Sequence, residues 1–444
     1  MATIKELIGR LDSDPHRRGH QFERICQWYL SHDPEYRLRL KRVWLWDQWP
    51  GRWGPDAGID LVAETHTGES WAVQAKAYSP EYAITKADVN TFLRESGRAV
   101  FSYRLIIATT NLIGRIALRT IHGQEKSAGL RLLSDLEKSG LIWPSSPRDL
   151  RAARPQQKKP RPHQREAITA VCRGFRASKR GQLIMACGTG KTLVGLWVTQ
   201  KLQCQRTLVL VPSLSLLSQT MREWAAQASK PIDLLPVCSD ETVRGADHLV
   251  SHTSELGLPV TTDPEAIARF LRRRGPRVIF ATYQSSPRIA QAFQHRAHRF
   301  DLVIADEAHR CAGAVSRDFA TVLDNTAIRS RRRLSMTATP RYFTERVRKE
   351  AGEADFEIAS MDDEGQFGPV FHRLSFGEAI DRDLLSDYQV VIVGVDDPTY
   401  KAYAERGRFV TYHRYIRISW LQEGPPSLIF GPGYGAHMGH ESVP

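Results

Sequence analysis

A short glycine-containing segment has the residue types that bind the phosphates of a nucleotide. The segment Cys187-Gly188-Thr189-Gly190-Lys191-Thr192 follows an apolar, strand-like run at 183–186 and precedes a helical pattern. Glycines permit the tight turn in which successive backbone N–H groups and a helix N-terminus face phosphate oxygens. The Lys191 ammonium would reach the β and γ oxygens, and the Thr192 hydroxyl would ligate Mg²⁺. The sequence therefore predicts a phosphate-binding turn, although the general pattern has Gly where this chain has Met185.

An acidic pair after a second apolar run would complete a nucleotide site. The run at 300–305 leads into Asp306-Glu307-Ala308-His309, and open α/β sheets bind ligands at the carboxyl ends of their strands. We expect Asp306 to hold the metal through water and Glu307 to polarise the attacking water. His309, with the later Thr-Ala-Thr segment at 337–339, would link the nucleotide state to the rest of the protein. Such a pair alone is usually a solvated turn, but its position downstream of the phosphate-binding segment favours the functional interpretation.

A second group of residues in the first third of the chain could cut a phosphodiester. A hard cation prefers oxygen ligands, which the Asp60 carboxylate, the Gln74 side chain and the Ala75 carbonyl could supply. Lys76 lies two residues beyond Gln74, on the same face of a predicted strand, and could orient or activate the attacking water. Glu23, on a preceding helix, could complete the metal shell through water.

Plainer interpretations of these residues stay open. The Gln-Ala-Lys sequence alone would be an ordinary half-exposed strand, and Glu23 on an amphipathic helix is more often a solvated charge than a ligand. The order helix with Glu, strand with Asp, strand with Gln and Lys, helix, apolar strand favours a site. Asp56 is a second candidate, but its Gly- and Pro-rich turn favours a structural role.

Two α/β blocks would position these side chains. The first has a helix at 20–30, strands near 43–46, 59–63 and 71–76, a helix at 86–96 and a strand at 104–109. The second alternates helices with strands at 183–186, 207–211, 278–282, 302–305 and 333–336, which predicts a doubly wound parallel sheet. Residues 229–275 are less regular and are predicted to be a surface insertion. A further strand is predicted at 389–395, and patterning fades beyond 412, which predicts a disordered tail.

Composition points to a polyanionic partner. The 444 residues suffice for two to four domains, and the formal net charge of +13 favours nucleic acid, although a basic but indifferent surface explains charge alone equally well. Residues 145–162 are rich in Pro, Arg and Lys and are predicted to be a linker that either tracks a DNA backbone or is a solvated tether. Six scattered cysteines indicate neither disulfides nor zinc. No signal peptide or membrane-spanning run is evident, so we expect a cytoplasmic protein.

From about residue 161 to residue 395 the motifs appear in the order of the superfamily 2 helicases, and the chain resembles the helicase-like motors of restriction enzymes. The resemblance makes Gln164, in RPHQR at 161–165, an adenine-reading residue, and it makes the segment at 281–285 a DNA-contacting one. Met185 is common in that branch. The resemblance also implies ATP and Mg²⁺ as cofactors. We do not find the arginine-bearing Q-x-x-G-R-x-x-R motif of the second lobe, so we expect ATP binding in a C-terminally truncated motor without the groups that finish hydrolysis and translocation.

Residues 19–121 resemble the PD-(D/E)xK nucleases, especially the Mrr-like branch, with Asp60, Gln74 and Lys76 at the motif positions and Glu23 on the preceding helix. Gln74 stands where the family more usually has an acid, which is known in that branch but puts metal affinity in doubt. Together the two resemblances imply a restriction-endonuclease-like domain at 1–144, a linker at 145–162, a RecA-like domain at 163–380 and an incomplete second lobe with a tail at 381–444.

The fusion is similar to the N-terminal part of single-chain, type ISP-like restriction-modification enzymes, whose methyltransferase and specificity modules are not found here. We expect Mg²⁺-dependent cleavage of double-stranded DNA that an ATP-driven motor drives or licenses. The alternative is a non-catalytic fragment that binds ATP and DNA, and an RNA helicase is disfavoured because a DNA-type nuclease precedes the motor.

Overall fold

The structure is a computed structural model that describes residues 2–55, 57–151, 157–239, 252–295, 297–314, 321–343 and 358–387. The chain divides into two compact units, Met1–Phe376 and Gly377–Pro444. The first unit contains both predicted α/β blocks. In the second unit, residues 377–387 are described, so the predicted strand at 389–395 and the tail lie outside the described residues.

The first block is a five-stranded mixed sheet in the order β1-β2-β3-β4-β5. β1, β2 and β3 are antiparallel neighbours, whereas β3, β4 and β5 run parallel. Its elements are α1 (Ile4–Ile8), α2 (Pro15–His32), α3 (Pro34–Arg37), β1 (Leu40–Leu45), β2 (Leu61–Thr65), β3 (Ser70–Lys76), α4 (Lys86–Glu95), β4 (Phe101–Ala108), α5 (Arg115–His122), β5 (Ala128–Arg131) and α6 (Leu133–Glu137).

Apolar side chains on one face of this sheet pack against α4 and α5. Phe92 of α4 and Ile121 of α5 pack with Val62, Ala72 and Ile106 of the central strands in one buried cluster. The sequence predicted the three central strands and α4 within a few residues, but it missed α1, α3, α5, β5 and α6. These missed elements are short, at four to eight residues, so they offer little periodicity to detect.

The second block is a seven-stranded, entirely parallel sheet in the order β14-β6-β12-β10-β7-β9-β8, as the doubly wound prediction requires. Its elements are α7 (Pro162–Ala177), β6 (Arg180–Met185), α8 (Lys191–Lys201), β7 (Arg206–Val211), α9 (Leu214–Gln227), β8 (Asp233–Val237), α10 (Pro264–Arg272), β9 (Arg277–Thr282), α11 (Ser286–Ala292), β10 (Leu302–Asp306), β11 (Gly313–Ala314), β12 (Arg333–Thr337), β13 (Ile358–Ala359), β14 (Val370–Leu374) and α12 (Phe376–Asp381). β11 and β13 form a separate two-stranded pair.

The prediction that residues 229–275 are a surface insertion is wrong. This stretch contributes β8, the edge strand of the large sheet, and α10, whose Ile267, Ala268 and Leu271 are fully buried. β8 contains Pro236, which an edge strand tolerates because one side of its backbone has no partner strand. Residues 240–251 of this stretch lie outside the described residues.

A buried ion pair lies where the two blocks meet. Arg131 of β5 donates to Glu35 of α3 at 2.9 Å, and their side chains are only 1% and 3% exposed. Arg131 also donates to Tyr36 Oη at 2.9 Å and to the Glu255 carbonyl at 3.1 Å, while Tyr36 Oη donates to the Gly257 carbonyl at 2.9 Å. Gly257 has φ +58°, and a Cβ there would lie 2.6 Å from Arg131 Cζ, so a glycine is required. The junction thus depends on charges from the first block and carbonyls from the second.

No helix in the described ranges is both long enough and apolar enough to cross a membrane.

Replacing Arg131 with Ala should reduce the free energy of unfolding by about 3–5 kcal/mol, because it leaves the buried Glu35 carboxylate without its cation. Replacing both partners, as in the double variant Glu35→Leu, Arg131→Met, should recover most of this loss. The measurement is urea denaturation of the full chain. The control is Lys5→Ala, which removes the exposed Lys5–Glu137 pair and should cost at most about 1 kcal/mol. Equal losses for Arg131→Ala and Lys5→Ala would contradict the analysis.

Candidate nuclease and nucleotide-binding sites

The predicted phosphate-binding segment forms a turn between β6 and α8. β6 ends at Met185 and α8 begins at Lys191, while Gly188 and Gly190 have φ +81° and +86°. Only glycine adopts this left-handed conformation without strain. Thr189 closes the turn by donating its hydroxyl to the Ala186 carbonyl at 2.7 Å. Gly188 to Thr192 therefore have the strand–turn–helix context that the sequence analysis required.

Lys191 is held at the base of this turn. Its ammonium donates to the Met185 carbonyl at 3.1 Å, and Cys187 Sγ lies 4.0 Å away. The side chain is buried, and its charge lowers the pKa of both Asp306 and Glu307, which places it beside the acidic pair. When a nucleotide binds, its phosphate oxygens could take the place of the Met185 carbonyl as acceptors for the Lys191 ammonium.

Gln164 braces the turn from α7. Its Nε2 donates to the Thr189 carbonyl at 3.1 Å, its Oε1 accepts from the Arg161 N–H at 2.9 Å, and His163 Nε2 lies 3.1 Å from the same Thr189 carbonyl. A Cβ on Gly190 would lie 2.4 Å from Gln164 Nε2. Gln164 thus positions the phosphate-binding turn in this structure. Its expected contact with adenine stays a prediction.

Asp306 ends β10 and Glu307 follows it directly. In the sheet β10 lies two strands from β6, with β12 between them. Burial and, after it, the neighbouring Glu307 charge raise the pKa of Asp306 to about 6, against the opposing charge of Lys191. Burial also raises the pKa of Glu307, but the His309 hydrogen bond and the Lys191 charge outweigh it, so the pKa of Glu307 lies below its ordinary value. The two carboxyls therefore differ in protonation near pH 6.

The backbone at Glu307 is strained. Its φ of +52° is in the left-handed region, which for a residue other than glycine costs on the order of 1 kcal/mol.

His309 contacts two polar side chains near the acidic pair. Its Nδ1 lies 3.0 Å from Thr337 Oγ1 of β12 and 3.3 Å from Glu307 Oε2. This contact joins the acidic segment to the later Thr-Ala-Thr segment. The expected role of these residues in transmitting the nucleotide state stays a prediction.

Two aromatic residues that the sequence analysis did not assign to the nucleotide site also contact it. Tyr283 is fully buried and donates its hydroxyl to the Asp306 carbonyl at 2.6 Å, although its segment was predicted to contact DNA. Trp224 of α9 donates to the Thr192 carbonyl at 3.0 Å. Tyr283 lies 23 positions from Asp306, and Trp224 lies 32 positions from Thr192, so no local sequence pattern identifies either contact.

The predicted nuclease residues converge at one end of the first sheet. Asp60 precedes β2, and its backbone N–H donates to the Val73 carbonyl of β3 at 3.0 Å. Its carboxylate accepts from the Ala75 N–H at 2.7 Å, which places it against the strand segment that carries Gln74 and Lys76. Gln74 is 3% exposed and Lys76 is half-buried. The candidate Asp56 lies outside the described residues.

Glu23 lies near the same end of the sheet, on α2. Burial raises the pKa of Glu23, while its contact with His20 Nδ1 at 3.1 Å lowers it. The buried Cys26 thiol, one helical turn further on, has its pKa raised first by burial and then by the charges of both Asp60 and Glu23. Both carboxylates therefore face the surroundings of Cys26, although Glu23 bonds to His20 in this structure.

The donor set of the nuclease site fits a divalent cation that prefers oxygen. Gln74 Oε1 is buried and has no hydrogen-bond partner in the described part of the chain, while Gln74 Nε2 donates to the Gly58 carbonyl at 3.3 Å. An unsatisfied buried oxygen beside a carboxylate is a position where Mg²⁺ would restore the lost interaction. Among the described residues, no three His, Cys, Asp or Glu side chains cluster as a metal-binding group. Metal binding here would therefore depend on Asp60 together with neutral oxygens.

Two family models match the chain in succession. Residues 31–151 match a family described as a restriction endonuclease, and residues 157–342 match the res subunit of type III restriction enzymes. The probable helicase A859L of African swine fever virus (strain Badajoz 1971 Vero-adapted) is 32% identical over 232 residues, which are 52% of this chain and 24% of that protein.

Two solved structures of restriction-modification enzymes are similar to this chain. The ATP-dependent Type ISP restriction-modification enzyme LlaBIII bound to DNA has a TM-score of 0.73 and 31% identity, over 88% of this chain and 26% of that one. A nuclease-deletion mutant of the Type ISP enzyme LlaGI, with a DNA substrate mimic, is 33% identical over 51% of this chain and 21% of that one, at a TM-score of 0.41. This chain thus spans about a quarter of the length of such relatives. It carries a restriction endonuclease domain followed by a helicase-type ATPase domain, and its fold resembles that of a Type ISP restriction-modification enzyme.

Proposed function

We propose that this chain cuts duplex DNA with Mg²⁺ at Asp60, Gln74 and Lys76, and that ATP bound at the second sheet drives or licenses the cut. The observation that carries the proposal is the convergence of these three residues at one end of β2 and β3, where Gln74 has an unsatisfied buried oxygen. The nuclease and ATPase domains share one compact unit, which supports a coupling between them.

Each nuclease residue has a distinct role in the proposed cleavage. Bound Mg²⁺ would polarise the scissile phosphate and lower the pKa of an attacking water. Asp60 and the Gln74 side-chain oxygen would hold it, and the Ala75 N–H keeps the Asp60 carboxylate in position. Lys76, two residues beyond Gln74 on the same strand face, would orient the water and offset the negative charge that develops on the phosphate. Glu23 would receive a proton or hold an outer water, since its raised pKa favours proton acceptance.

The nucleotide residues have equally distinct roles. The backbone at Gly188, Thr189 and Gly190, with Lys191, would bind the phosphates of ATP, and Thr192 and Asp306 would hold the accompanying Mg²⁺. Glu307 would orient the attacking water, because its lowered pKa keeps it ionised. The contact between His309 and Thr337 would then report the nucleotide state to β12.

Double-stranded DNA is the proposed partner. The net charge of +13 supports it, and the LlaBIII and LlaGI structures were determined with DNA or a DNA mimic. Methyltransferase and specificity modules or subunits are proposed as further partners. Six free thiols in the described residues fit the reducing cytoplasm that we propose as its location. We retain the proposed boundaries 1–144, 145–162, 163–380 and 381–444, although α7 already begins at Pro162.

Replacing Asp60 with Ala should lower Mg²⁺-dependent nicking of supercoiled duplex DNA by more than about 100-fold, because outer-sphere partners of metal sites already account for 10- to 100-fold. Lys191→Ala should abolish the ATP-dependent part of nicking and leave any ATP-independent part unchanged. The matched control is Glu64→Gln, which removes a half-buried carboxylate of the same strand, β2, that pairs with Lys41. Nicking by Asp60→Ala at the wild-type rate would show that the nuclease assignment is wrong. Nucleotide binding without DNA-stimulated ATP turnover would favour the non-catalytic alternative for the motor.

Mg²⁺-dependent nucleotide binding should weaken below about pH 6. The raised pKa of Asp306 means that the free protein binds a proton there as the pH falls, and Mg²⁺ must displace that proton. The affinity increment, which is the factor by which Mg²⁺ strengthens nucleotide binding, should fall about tenfold per pH unit below 6 and be constant above pH 7. Titrations of a fluorescent ATP analogue between pH 5 and 8, with Mg²⁺ or EDTA, measure it. Asp306→Asn should lack the increment at every pH. Because protonation of the nucleotide itself affects both proteins equally, this variant also controls for that effect. An increment in the wild type that is equal at pH 5 and pH 7.5 would contradict the assignment.

A further inference from the structure

Three large apolar side chains are exposed beside the proposed nuclease site. Tyr82, Leu112 and Ile116 are 39%, 48% and 66% exposed, and we name them the apolar patch. Leu112 and Ile116 follow the carboxyl end of β4, which pairs in parallel with β3, so that Ala108 lies opposite Lys76. The Thr109 N–H donates to the Lys76 carbonyl at 3.0 Å. The patch therefore begins within a few residues of the strand end that carries the proposed catalytic lysine.

The backbone beneath the apolar patch is fixed by hydrogen bonds. The Thr110 hydroxyl donates to the Pro80 and Tyr82 carbonyls at 3.0 and 2.8 Å, and it accepts from the Leu112 N–H at 3.0 Å. The Ile84 N–H donates to the Leu112 carbonyl at 3.0 Å. Tyr82 also donates its hydroxyl to Asp88 at 3.0 Å. These bonds hold the two segments that carry the patch together, so presenting its apolar side chains to a partner would cost little ordering entropy.

Cations border the apolar patch. Lys86, Arg115 and Arg119 are exposed on α4 and α5. The acidic groups of the same elements and loop are Glu81, which is exposed and bonds to Ser79, Asp88, whose carboxylate accepts from Tyr78, Tyr82 and Thr85, and the half-buried Glu95, which pairs with Arg94 and Arg98. Exposed cations thus outnumber exposed acids here. Aliphatic side chains between cations match a duplex, whose sugars and base faces are apolar and whose phosphates are anionic.

We propose that the apolar patch seats duplex DNA beside the scissile phosphate, with Leu112 and Ile116 against sugars or base faces and Arg115 on a phosphate. This inference rests on the proposed function, since it deepens the account of the same nuclease site. The three patch residues are positioning residues: they hold the duplex where Lys76 and Asp60 can act. A second copy of this chain is the competing occupant, and the experiment below distinguishes the two.

The test compares the double variant Leu112→Ser, Ile116→Ser with Val100→Ser in the full chain. Val100 is 48% exposed, like Leu112, but it lies before the amino end of β4, away from the proposed site. The patch variant should bind a fluorescent duplex about tenfold more weakly than wild type. Its serines lack apolar surface that would be buried against DNA, and losing the burial of two methylene groups already weakens binding about tenfold. Its nicking should show a raised KM and an unchanged kcat. Val100→Ser should match wild type in both assays, and circular dichroism checks that each variant is folded.

Salt dependence separates the patch from its cations. Arg115→Ala should reduce the slope of log affinity against log salt by about 0.9, as expected for one lost phosphate contact, whereas the patch variant should keep the wild-type slope. DNA affinity equal to wild type in the patch variant would overturn the inference. If the patch variant also had a lower molecular mass in solution than wild type, the patch would be an interface with a second copy of the chain. If Asp60→Ala still nicks, the proposed function fails, while the binding comparison still decides the role of the patch.

Discussion

A charge removed from water must meet an opposite charge, and the junction of the two domains depends on this constraint. Glu35 and Arg131 are almost completely buried, and each would be costly alone. The remaining N–H groups of Arg131 need acceptors, which Tyr36 and the Glu255 carbonyl supply. The second domain therefore completes a polar network that the first domain cannot satisfy by itself. Such a network specifies one arrangement of the domains more strictly than apolar packing would, because a shifted contact leaves a buried charge unpaired.

Helix α9 lies between this junction and the nucleotide site. Its Arg222 is 3.8 Å from Asp135 of the nuclease domain. Burial raises the pKa of Glu35, and the charges of Arg131 and Arg222 oppose that rise, so Arg222 also lies within electrostatic reach of the buried pair. Trp224, two residues further on, donates to the Thr192 carbonyl in the phosphate-binding turn. Residues two apart on a helix point to different sides, so one side of α9 faces the nuclease domain and another side contacts the nucleotide site. A movement of the turn would thus reach the nuclease domain through one rigid element.

The local arrangement of both candidate sites could be predicted from the sequence because each motif is continuous or lies on neighbouring strands. The turn at Gly188 and Gly190, the acidic pair after β10 and the Gln74–Lys76 spacing all follow from residue type and strand period. The junction could not be predicted, since Glu35 and Arg131 are 96 residues apart and neither lies in a recognisable pattern. The edge strand β8 was missed because Pro236 argues against a strand wherever both neighbours must be paired. Long-range pairing and edge position are properties of the fold, which local periodicity does not encode.

The two proposed metal sites differ in the groups that they offer to a cation. In the nucleotide site, two adjacent carboxyls share one buried region with Lys191. Burial, reinforced by repulsion from Glu307, raises the pKa of Asp306, whereas the His309 hydrogen bond and the Lys191 charge hold the pKa of Glu307 below its ordinary value, so that Glu307 stays ionised where Asp306 begins to take up a proton. The nuclease site has a neutral amide where a second carboxylate would stand, which avoids that repulsion but leaves Gln74 Oε1 unsatisfied when no cation is bound. Affinity for metal should then depend on how closely the substrate phosphate approaches, because the phosphate supplies the negative charge that Gln74 does not. Under the proposed function, such a nuclease would act only where DNA is already held in position, which fits the proposal that the motor domain licenses the cut.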